Sequence, residues 1–121
     1  MDAILDTSII IEIFRGNKKI LDELPRNLEY GISVITLFEL YCCELKEREE
    51  IFLEKMPKLD YDEKSAKLAG KIFRELKRNG KIPKVKDLLI ASSAIANDKL
   101  LITCDRDFKL FERFGLNVKI I

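Results

Sequence analysis

The sequence of 121 residues contains no histidine, and this absence limits the chemistry open to it. Histidine is the usual general base near neutral pH and the usual nitrogen ligand of zinc. Ser-His-Asp triads, Cys-His nucleophile pairs and His-containing zinc sites are therefore excluded. If the chain is an enzyme, carboxylates acting with a metal-activated water are the economical remaining choice.

Long apolar runs are also missing, although 47% of the residues are hydrophobic. No segment reaches the roughly 18 apolar residues that a membrane helix needs. Asp2, Asp6 and Glu12 interrupt the N-terminal apolar stretch, which is not the pattern of a signal peptide. The length suits one domain with its own core. We therefore expect residues 1–121 to form a single cytoplasmic domain with no membrane contact.

Cysteine is scarce, with only Cys42, Cys43 and Cys104. The number is odd, and adjacent cysteines in a helical segment do not readily form a disulfide with each other. We interpret all three as small, buried apolar residues.

Short apolar segments alternate with helical patterns along the chain. Strands are predicted at 2–5, 30–33, 100–103 and 118–121. Helices are predicted at 8–15, 17–24, 34–46, 47–55, 62–79, 87–97 and 107–114. Continuous apolar strands separated by helices indicate a parallel sheet covered on both faces. The predicted fold class is α/β, with three layers and a central, mainly parallel sheet.

Helical spacing predicts which side chains face the core. The helix at 34–46 would turn Ile35, Phe38, Tyr41 or Cys42, and Leu45 inward. The helix at 62–79, capped by Asp62 at its start, would bury Ala66, Ala69, Ile72, Phe73 and Leu76.

Four acidic side chains stand beside apolar segments. Asp6 and Asp105 follow the apolar segments 3–5 and 100–103. Asp87 opens another apolar run, and Glu39 is the only charged residue from position 31 to position 43. A carboxylate held near the interior is costly unless it is paired, hydrogen-bonded or bound to a metal ion. None of the four has a basic residue within its apolar run, so the pattern indicates a divalent-metal site.

The predicted fold would bring these acids together, because sites in parallel sheets form beyond the carboxyl ends of the strands. Asp6 and Asp105 follow strands. Glu39 and Asp87 lie near the starts of helices. We expect Asp6, Asp87 and Asp105 to bind a divalent cation. Glu39 would orient the attacking water or bind a second ion.

Such a cluster is under electrostatic strain until a cation binds. Carboxylates about 5 Å apart repel by roughly 3 kcal/mol per pair at an effective dielectric constant near 20. A divalent cation bound between the carboxylates would replace this repulsion by attraction. The hydroxyl groups of Thr7 and Thr103 would hold the carboxylates in position.

Each acid also has a purely structural interpretation. Asp6 would cap the first helix, and Asp87 would favour the positive end of its own helix. Glu39 would be exposed between core positions. Asp105 and Asp107 would be turn and N-cap residues. These interpretations explain the acids singly, whereas a metal site explains why all of them occur together.

A basic segment leads to Asp87, although the net charge of the chain is only +1. The segment contains Lys71, Arg74, Lys77, Arg78, Lys81, Lys84 and Lys86. We expect the last three, Lys81, Lys84 and Lys86, to guide phosphate groups of a substrate towards the metal ions. A solvated helix face would show the same charges.

The acids lie in four short motifs: Leu5-Asp6-Thr7-Ser8, Thr36-Leu37-Phe38-Glu39, Asp87-Leu88-Leu89-Ile90-Ala91 and Thr103-Cys104-Asp105-Arg106-Asp107-Phe108. Each motif alone is weak. All four in this order and at these intervals resemble the PIN-domain ribonucleases, and the spacing is similar to that of VapC toxins from toxin-antitoxin pairs. The resemblance covers essentially the whole chain.

The resemblance implies a PIN-like α/β/α fold, an endoribonuclease that depends on Mg²⁺ or Mn²⁺, a homodimer, and a neutralising VapB-like antitoxin as partner. It also implies that Asp6, Glu39, Asp87 and Asp105 form the catalytic acidic pocket. Asp107 is a frequent fifth member in such proteins. Here it follows Asp105 by only two residues, where many relatives have a longer interval.

Two other functions fit parts of the pattern. A receiver-type signalling domain has a similar length and an acidic Mg²⁺ pocket, but it needs an aspartate after a middle strand and a lysine after the last parallel strand. Asp60 and Asp62 stand in a helix-capping context, and Lys119 lies inside a strand. A catalytically silent PIN module that only binds partners is the other alternative.

Overall fold

The computed structural model describes all residues, Met1–Ile121, and contains one sheet of five strands with helices on both faces. The strands are β1 (Ala3–Leu5), β2 (Tyr30–Ser33), β3 (Lys58–Leu59), β4 (Leu100–Thr103) and β5 (Val118–Ile120). The helices are α1 (Thr7–Phe14), α2 (Lys18–Glu23), α3 (Val34–Tyr41), α4 (Glu47–Lys55), α5 (Glu63–Arg78), α6 (Val85–Ala96) and a 3-10 helix, Arg106–Phe114. The α/β prediction is confirmed. The two-residue strand β3 was not predicted.

The side chains of the central strands alternate between two cores, as the pleat of a β-strand requires. Ile4 and Leu101 belong to the core that packs against α5, α6 and the 3-10 helix. Leu5 and Ile102 belong to the core on the opposite face, together with residues of α1 to α4. The sheet is therefore the middle layer of three.

The strand order β3-β2-β1-β4-β5, with every pairing parallel, puts β1 and β4 at the centre. From β1 the chain continues outwards through β2 and β3, whereas β4 leads outwards to β5 on the other side. Such a switch point opens a crevice beyond the carboxyl ends of the strands. Receiver-type domains have the order 2-1-3-4-5, so the topology contradicts that alternative.

Helix α5 shows the amphipathic pattern that was predicted. Its start is fixed by Asp62, whose side chain accepts a hydrogen bond from the backbone N–H of Ser65 at 3.0 Å. Ala66, predicted for the inner face, is exposed, because the buried stripe passes through Ser65 instead. The buried positions are Ser65, Ala69, Ile72 and Leu76.

Helix α3 is shorter than predicted and ends at Tyr41 instead of near Lys46. A turn follows, and α4 then begins with Glu49 accepting a hydrogen bond from the backbone N–H of Lys46 at 2.8 Å. Phe38 and Tyr41 were expected in the core but are 60% and 48% exposed. The buried face of α3 is instead the one that carries Leu40, so periodicity pointed to the wrong side.

The early end of α3 also corrects the interpretation of the cysteines. Cys42 and Cys43 are exposed, and Cys104 is half-buried. Burial raises the pKa of the Cys104 thiol above its usual value. The first two cysteines are not core residues, because they lie in the turn after α3 and not on its inner face.

None of the helices combines the length and apolarity required to cross a membrane.

Candidate active site

The pairing of β1 with β4 builds the centre of the acidic site. Leu5 lies opposite Ile102 in this pair, and the backbone N–H of Asp6 donates to the carbonyl of Ile102 at 2.9 Å. Asp6 and Thr103 therefore leave the two strands side by side. Two segments that are far apart in the sequence meet at the carboxyl edge of the sheet.

Asp6 is 6% exposed, and its carboxylate is held by two hydroxyl groups. Thr103 Oγ1 and Ser8 Oγ each donate to Asp6 Oδ2 at 2.8 Å. The side chain accepts no hydrogen bond from the backbone N–H groups at the start of α1. The helix-capping interpretation of Asp6 is therefore wrong, although the residue occupies the N-cap position.

Ser8 belongs to this network but was considered only as part of the helix start. Its Oγ also accepts a hydrogen bond from the backbone N–H of Cys104 at 3.0 Å. Ser8 therefore connects α1 to the segment after β4. The only signal in the sequence was a hydroxyl residue two positions after Asp6.

Glu39 approaches the site from α3, and its side chain is 19% exposed. Thr7 Oγ1 donates to Glu39 Oε1 at 2.9 Å. Lys86 Nζ lies 3.5 Å from the other carboxylate oxygen. Because α3 ends at Tyr41, Glu39 sits close to the end of the helix and not in its N-terminal half as predicted.

Asp105 joins the site from the segment after β4. Its Oδ1 accepts a hydrogen bond from the backbone N–H of Asp107 at 2.9 Å, which caps the 3-10 helix. Its own backbone N–H donates to Thr103 Oγ1 at 3.0 Å. Asp105 thus has the structural role considered above and also lies among the acids. Asp107 is exposed, and its carboxylate pairs with Lys84 at 3.4 Å.

Asp87 lies in the first turn of α6 and is the one acid of the four whose carboxylate has no hydrogen-bond partner. Burial, and after it the negative charges of Asp105 and Asp6, together raise the pKa of Asp87 from 3.8 to about 6. Lys84 opposes this shift, and Glu39 contributes to it. The electrostatic cost of the cluster is therefore concentrated on Asp87.

The lysines predicted to guide RNA have different surroundings. Lys84 and Lys86 are exposed but pair with carboxylates of the site, Asp107 and Glu39 respectively. The hydrogen bond and charge of Asp107 raise the pKa of Lys84. Lys81 is exposed and forms no ion pair. The pair of Lys84 with Asp107 is exposed on both sides, and exposed ion pairs are weak. Lys84 can therefore exchange partners readily, whereas the partner of Lys86, Glu39, is mostly buried.

Comparison with known proteins decides the family, since residues 3–113 match the model of the PIN domain. The chain belongs to the PIN-domain family. Ribonuclease VapC3 of Methanocaldococcus jannaschii is 60% identical over 94 residues, which cover 76% of this chain and 97% of that protein.

Two solved complexes show the same fold. VapBC2 from Rickettsia felis, bound to a DNA fragment from its promoter, matches with a TM-score of 0.80 and 29% identity. DNA-bound VapBC from Salmonella typhimurium matches with a TM-score of 0.80 and 30% identity. Each alignment covers 99% of this chain and 98% of the other. The resemblance seen in the sequence is confirmed.

The donor set of this PIN domain suits a hard divalent cation in kind. All four acids offer carboxylate oxygens, and the raised pKa of Asp87 reports a field that a cation would relieve. No three His, Cys, Asp or Glu side chains are arranged as a ready ligand group. Asp6, Asp87 and Asp105 are the residues that could offer oxygen ligands to such an ion.

Replacing Asp87 by asparagine should stabilise the metal-free protein at neutral pH. The folded state binds a proton at Asp87 more tightly than the unfolded chain does. This group therefore favours folding most below pH 3.8 and loses that contribution as the pH rises through about 6. We expect Asp87→Asn to gain about 1 kcal/mol over wild type between pH 4.5 and 7, after allowance for solvent screening. Urea unfolding in EDTA measures this difference.

Asp6→Asn is the matched contrast, because the carboxylate of Asp6 is satisfied by Ser8 and Thr103. We expect this variant to be destabilised by about 1 kcal/mol. The exposed Asp22 of α2 makes no hydrogen bond or ion pair, so Asp22→Asn should change the free energy of unfolding by less than about 0.5 kcal/mol. Equal effects of all three substitutions would contradict the description of the site.

Proposed function

We propose that this PIN domain is a metal-dependent endoribonuclease and the toxin of a VapBC-type toxin-antitoxin pair. The observation that carries the proposal is that Asp105, Asp6 and Glu39 all act electrostatically on the half-buried Asp87, while Asp6 is hydrogen-bonded to Thr103 at the end of β4. The similarity to VapC ribonucleases supports it. The proposal includes a single domain over residues 1–121 that acts in the cytoplasm.

Asp6, Asp87 and Asp105 would hold Mg²⁺ or Mn²⁺. When bound, the ion supplies a Lewis acid that activates water for attack on phosphorus and stabilises the charge that develops there. Attack by water breaks the bond between phosphorus and the 3'-oxygen and leaves a 3'-hydroxyl and a 5'-phosphate. No protein nucleophile is needed, which agrees with the absence of histidine.

The residues of the chain have distinct tasks in this reaction. Ser8 and Thr103 fix Asp6, so one carboxylate keeps its orientation without a metal ion. Thr7 fixes Glu39, which can then accept a hydrogen bond from the attacking water. Lys86 would leave Glu39 for a phosphate oxygen of RNA, because its side chain is exposed and its ammonium group lies 3.5 Å from the carboxylate.

A catalytically silent PIN module remains the second candidate. In such a module we would expect one or more of the four acids to be missing or to lie away from the site. The four acids are all present, and Asp87 is kept at an electrostatic cost that a module without chemistry would have no reason to retain. We therefore favour the enzyme.

Purified protein should cleave RNA only when Mg²⁺ or Mn²⁺ is present. Asp87→Asn, Asp105→Asn and Glu39→Gln should each lower kcat at least about 100-fold, because each removes a charge at the reacting centre. Asp107→Asn should lower it less than about 10-fold, since Asp107 is exposed and paired with Lys84. Gel analysis of a labelled RNA measures these rates.

Asp22→Asn is the matched control and should retain full activity. Undiminished cleavage in excess EDTA would rule out the metal-dependent reaction. Absence of cleavage by a folded protein, with all four acids intact and either metal present, would favour the silent module.

We propose that an antitoxin segment occupies the groove beside α1, here called the first-helix groove. It has a volume of about 610 Å³ and mixes apolar and charged side chains: Ile11, Phe14, Arg15, Leu40, Cys43, Glu44, Leu45, Lys46, Arg48 and Glu49. Phe14 packs edge-on against Phe52, which lines an adjoining depression that shares Phe14, Arg48 and Glu49 with the groove. Helix α1 begins at Thr7, next to Asp6, and Ile11 of the groove lies about one turn, roughly 6 Å, further along it. A basic side chain of the antitoxin would reach Asp6 and Asp87 from there.

The product of the adjacent open reading frame is the partner to test. We expect it to co-purify with the wild-type chain and to bind Phe52→Glu at least about 100-fold more weakly, because a charge would replace an apolar contact. Raising Mg²⁺ should weaken binding, since metal and the basic side chain compete for the same acids. Ala66→Glu, on α5 across the sheet, is the control. Affinity that ignores Mg²⁺ and Phe52→Glu would contradict this groove.

We also propose that the exposed face of α3 forms a homodimer. Val34, Leu37, Phe38 and Tyr41 line an entirely apolar depression there. Phe38→Glu should convert a dimer to a monomer, because it would bury an unpaired charge. Light scattering after size exclusion measures the mass. Leu21→Glu is the control: it changes an apolar residue of α2 that is about as exposed as Phe38, and it should leave the dimer intact. If the Phe38→Glu protein is still a dimer, the interface lies elsewhere.

A further inference from the structure

A second concave surface adjoins the acidic site and is not used by the chemistry proposed above. It is a cleft of about 390 Å³, within the range of roughly 300 to 1,000 Å³ typical of ligand pockets. We call it the lateral cleft. Its lining residues are Ile82, Pro83, Lys84, Asp87, Arg106, Asp107, Leu110 and Phe111. Since Asp87 belongs to both, a ligand in the cleft would touch the reacting centre.

Four of the residues that line the lateral cleft are apolar and are here called its apolar wall: Ile82, Pro83, Leu110 and Phe111. Ile82 is 74% exposed, which leaves most of a large aliphatic side chain in water. Pro83 and Phe111 are buried, and Leu110 is half-buried. A flat apolar group that entered the cleft would cover Ile82, so these residues suit the face of a nucleobase.

The other four lining residues are charged and are here called the charged wall: Lys84, Asp87, Arg106 and Asp107. Lys84 and Asp107 pair with each other at 3.4 Å. Arg106 stands between Asp105 and Asp107 in the sequence, yet its guanidinium forms no ion pair or hydrogen bond within the chain. An arginine that is exposed and free beside a phosphodiester-cleaving site matches the bidentate geometry with which guanidinium groups bind phosphate.

We propose that the lateral cleft binds the nucleotide next to the scissile phosphate, with Arg106 on its phosphate and its base against Ile82 and Leu110. The inference rests on the proposed ribonuclease function and names a substrate-binding subsite within it. Arg106 is then a residue that positions RNA. It takes no part in breaking the bond.

A carboxylate from a protein partner is the other ligand that Arg106 could bind. The apolar wall argues against it, because an acidic peptide would leave Ile82 uncovered. The cleft is also separate from the first-helix groove, with which it shares no lining residue. RNA therefore accounts for both walls of the cleft at once.

The test compares Arg106→Ala, Arg106→Lys and Ile82→Ser with the wild type on one short labelled RNA in Mg²⁺. Lys109→Ala is the matched control, because Lys109 is an exposed cation of the same 3-10 helix that neither lines the cleft nor forms an ion pair. Circular dichroism melting checks that each variant is folded.

We expect Arg106→Ala to raise KM by roughly 10- to 100-fold, the loss of one charge-assisted contact, with kcat changed less than about threefold. Arg106→Lys should recover part of the affinity, since lysine keeps the positive charge but lacks the two parallel N–H donors of the guanidinium group. Ile82→Ser should raise KM several-fold, and Lys109→Ala should change neither constant.

Wild-type kinetics for Arg106→Ala and Ile82→Ser in an active preparation would overturn the inference and leave the ribonuclease function standing. A loss of kcat alone would also overturn it, because Arg106 would then act in the chemistry. If the wild type cleaves no RNA, the proposed function fails, and RNA-binding measurements then test the lateral cleft on its own. Equal RNA affinity of the wild type and Arg106→Ala would overturn the inference. So would a variant that changes only the affinity for the protein encoded by the adjacent open reading frame.

Discussion

The parallel pairing of β1 with β4 is the constraint on which the site depends. It joins residues almost a hundred positions apart, and its register sets Asp6 beside Thr103. The chain leaves these two strands towards opposite edges of the sheet, so their carboxyl ends stay uncovered. Helices α1, α3 and α6 begin at or near this edge and contribute the remaining polar side chains. A shift of this register by one residue would turn Asp6 to the other face of the sheet.

The acids at this edge differ in the partners that offset their negative charge. Hydroxyl groups hold Asp6, and a hydroxyl group and a lysine hold Glu39, so these carboxylates keep their positions without a cation. Asp87 has no such partner and carries the raised pKa. The fold thus fixes some of the carboxylates and leaves one under repulsion. We infer that the free energy released on cation binding comes mainly from Asp87, since neutralising repulsion is worth most where nothing else offsets it.

Three exposed surfaces surround the acids, and each has a different composition. The α3 face is apolar, the first-helix groove mixes apolar and charged side chains, and the lateral cleft has an apolar wall and a charged wall. These differences are the reason why a second copy, a protein segment and a nucleotide are proposed as their respective occupants. Only the lateral cleft includes one of the four acids, Asp87, in its lining.

The sequence alone determined the alternation of strands and helices, the parallel sheet and the four acids, because apolar runs and carboxylates beside them are visible along one dimension. It did not determine which face of α3 is buried, so Phe38 and Tyr41 were misplaced, and Cys42 and Cys43 with them. It also did not reveal Ser8 as a partner of Asp6, the pairing of Lys84 and Lys86 with acids, or the free guanidinium of Arg106. These features depend on where α3 ends and on how α6 and the 3-10 helix pack. Contacts between segments that are distant in the sequence decide where α3 ends and how these helices pack. The periodicity of apolar residues reflects only the geometry within one helix or strand.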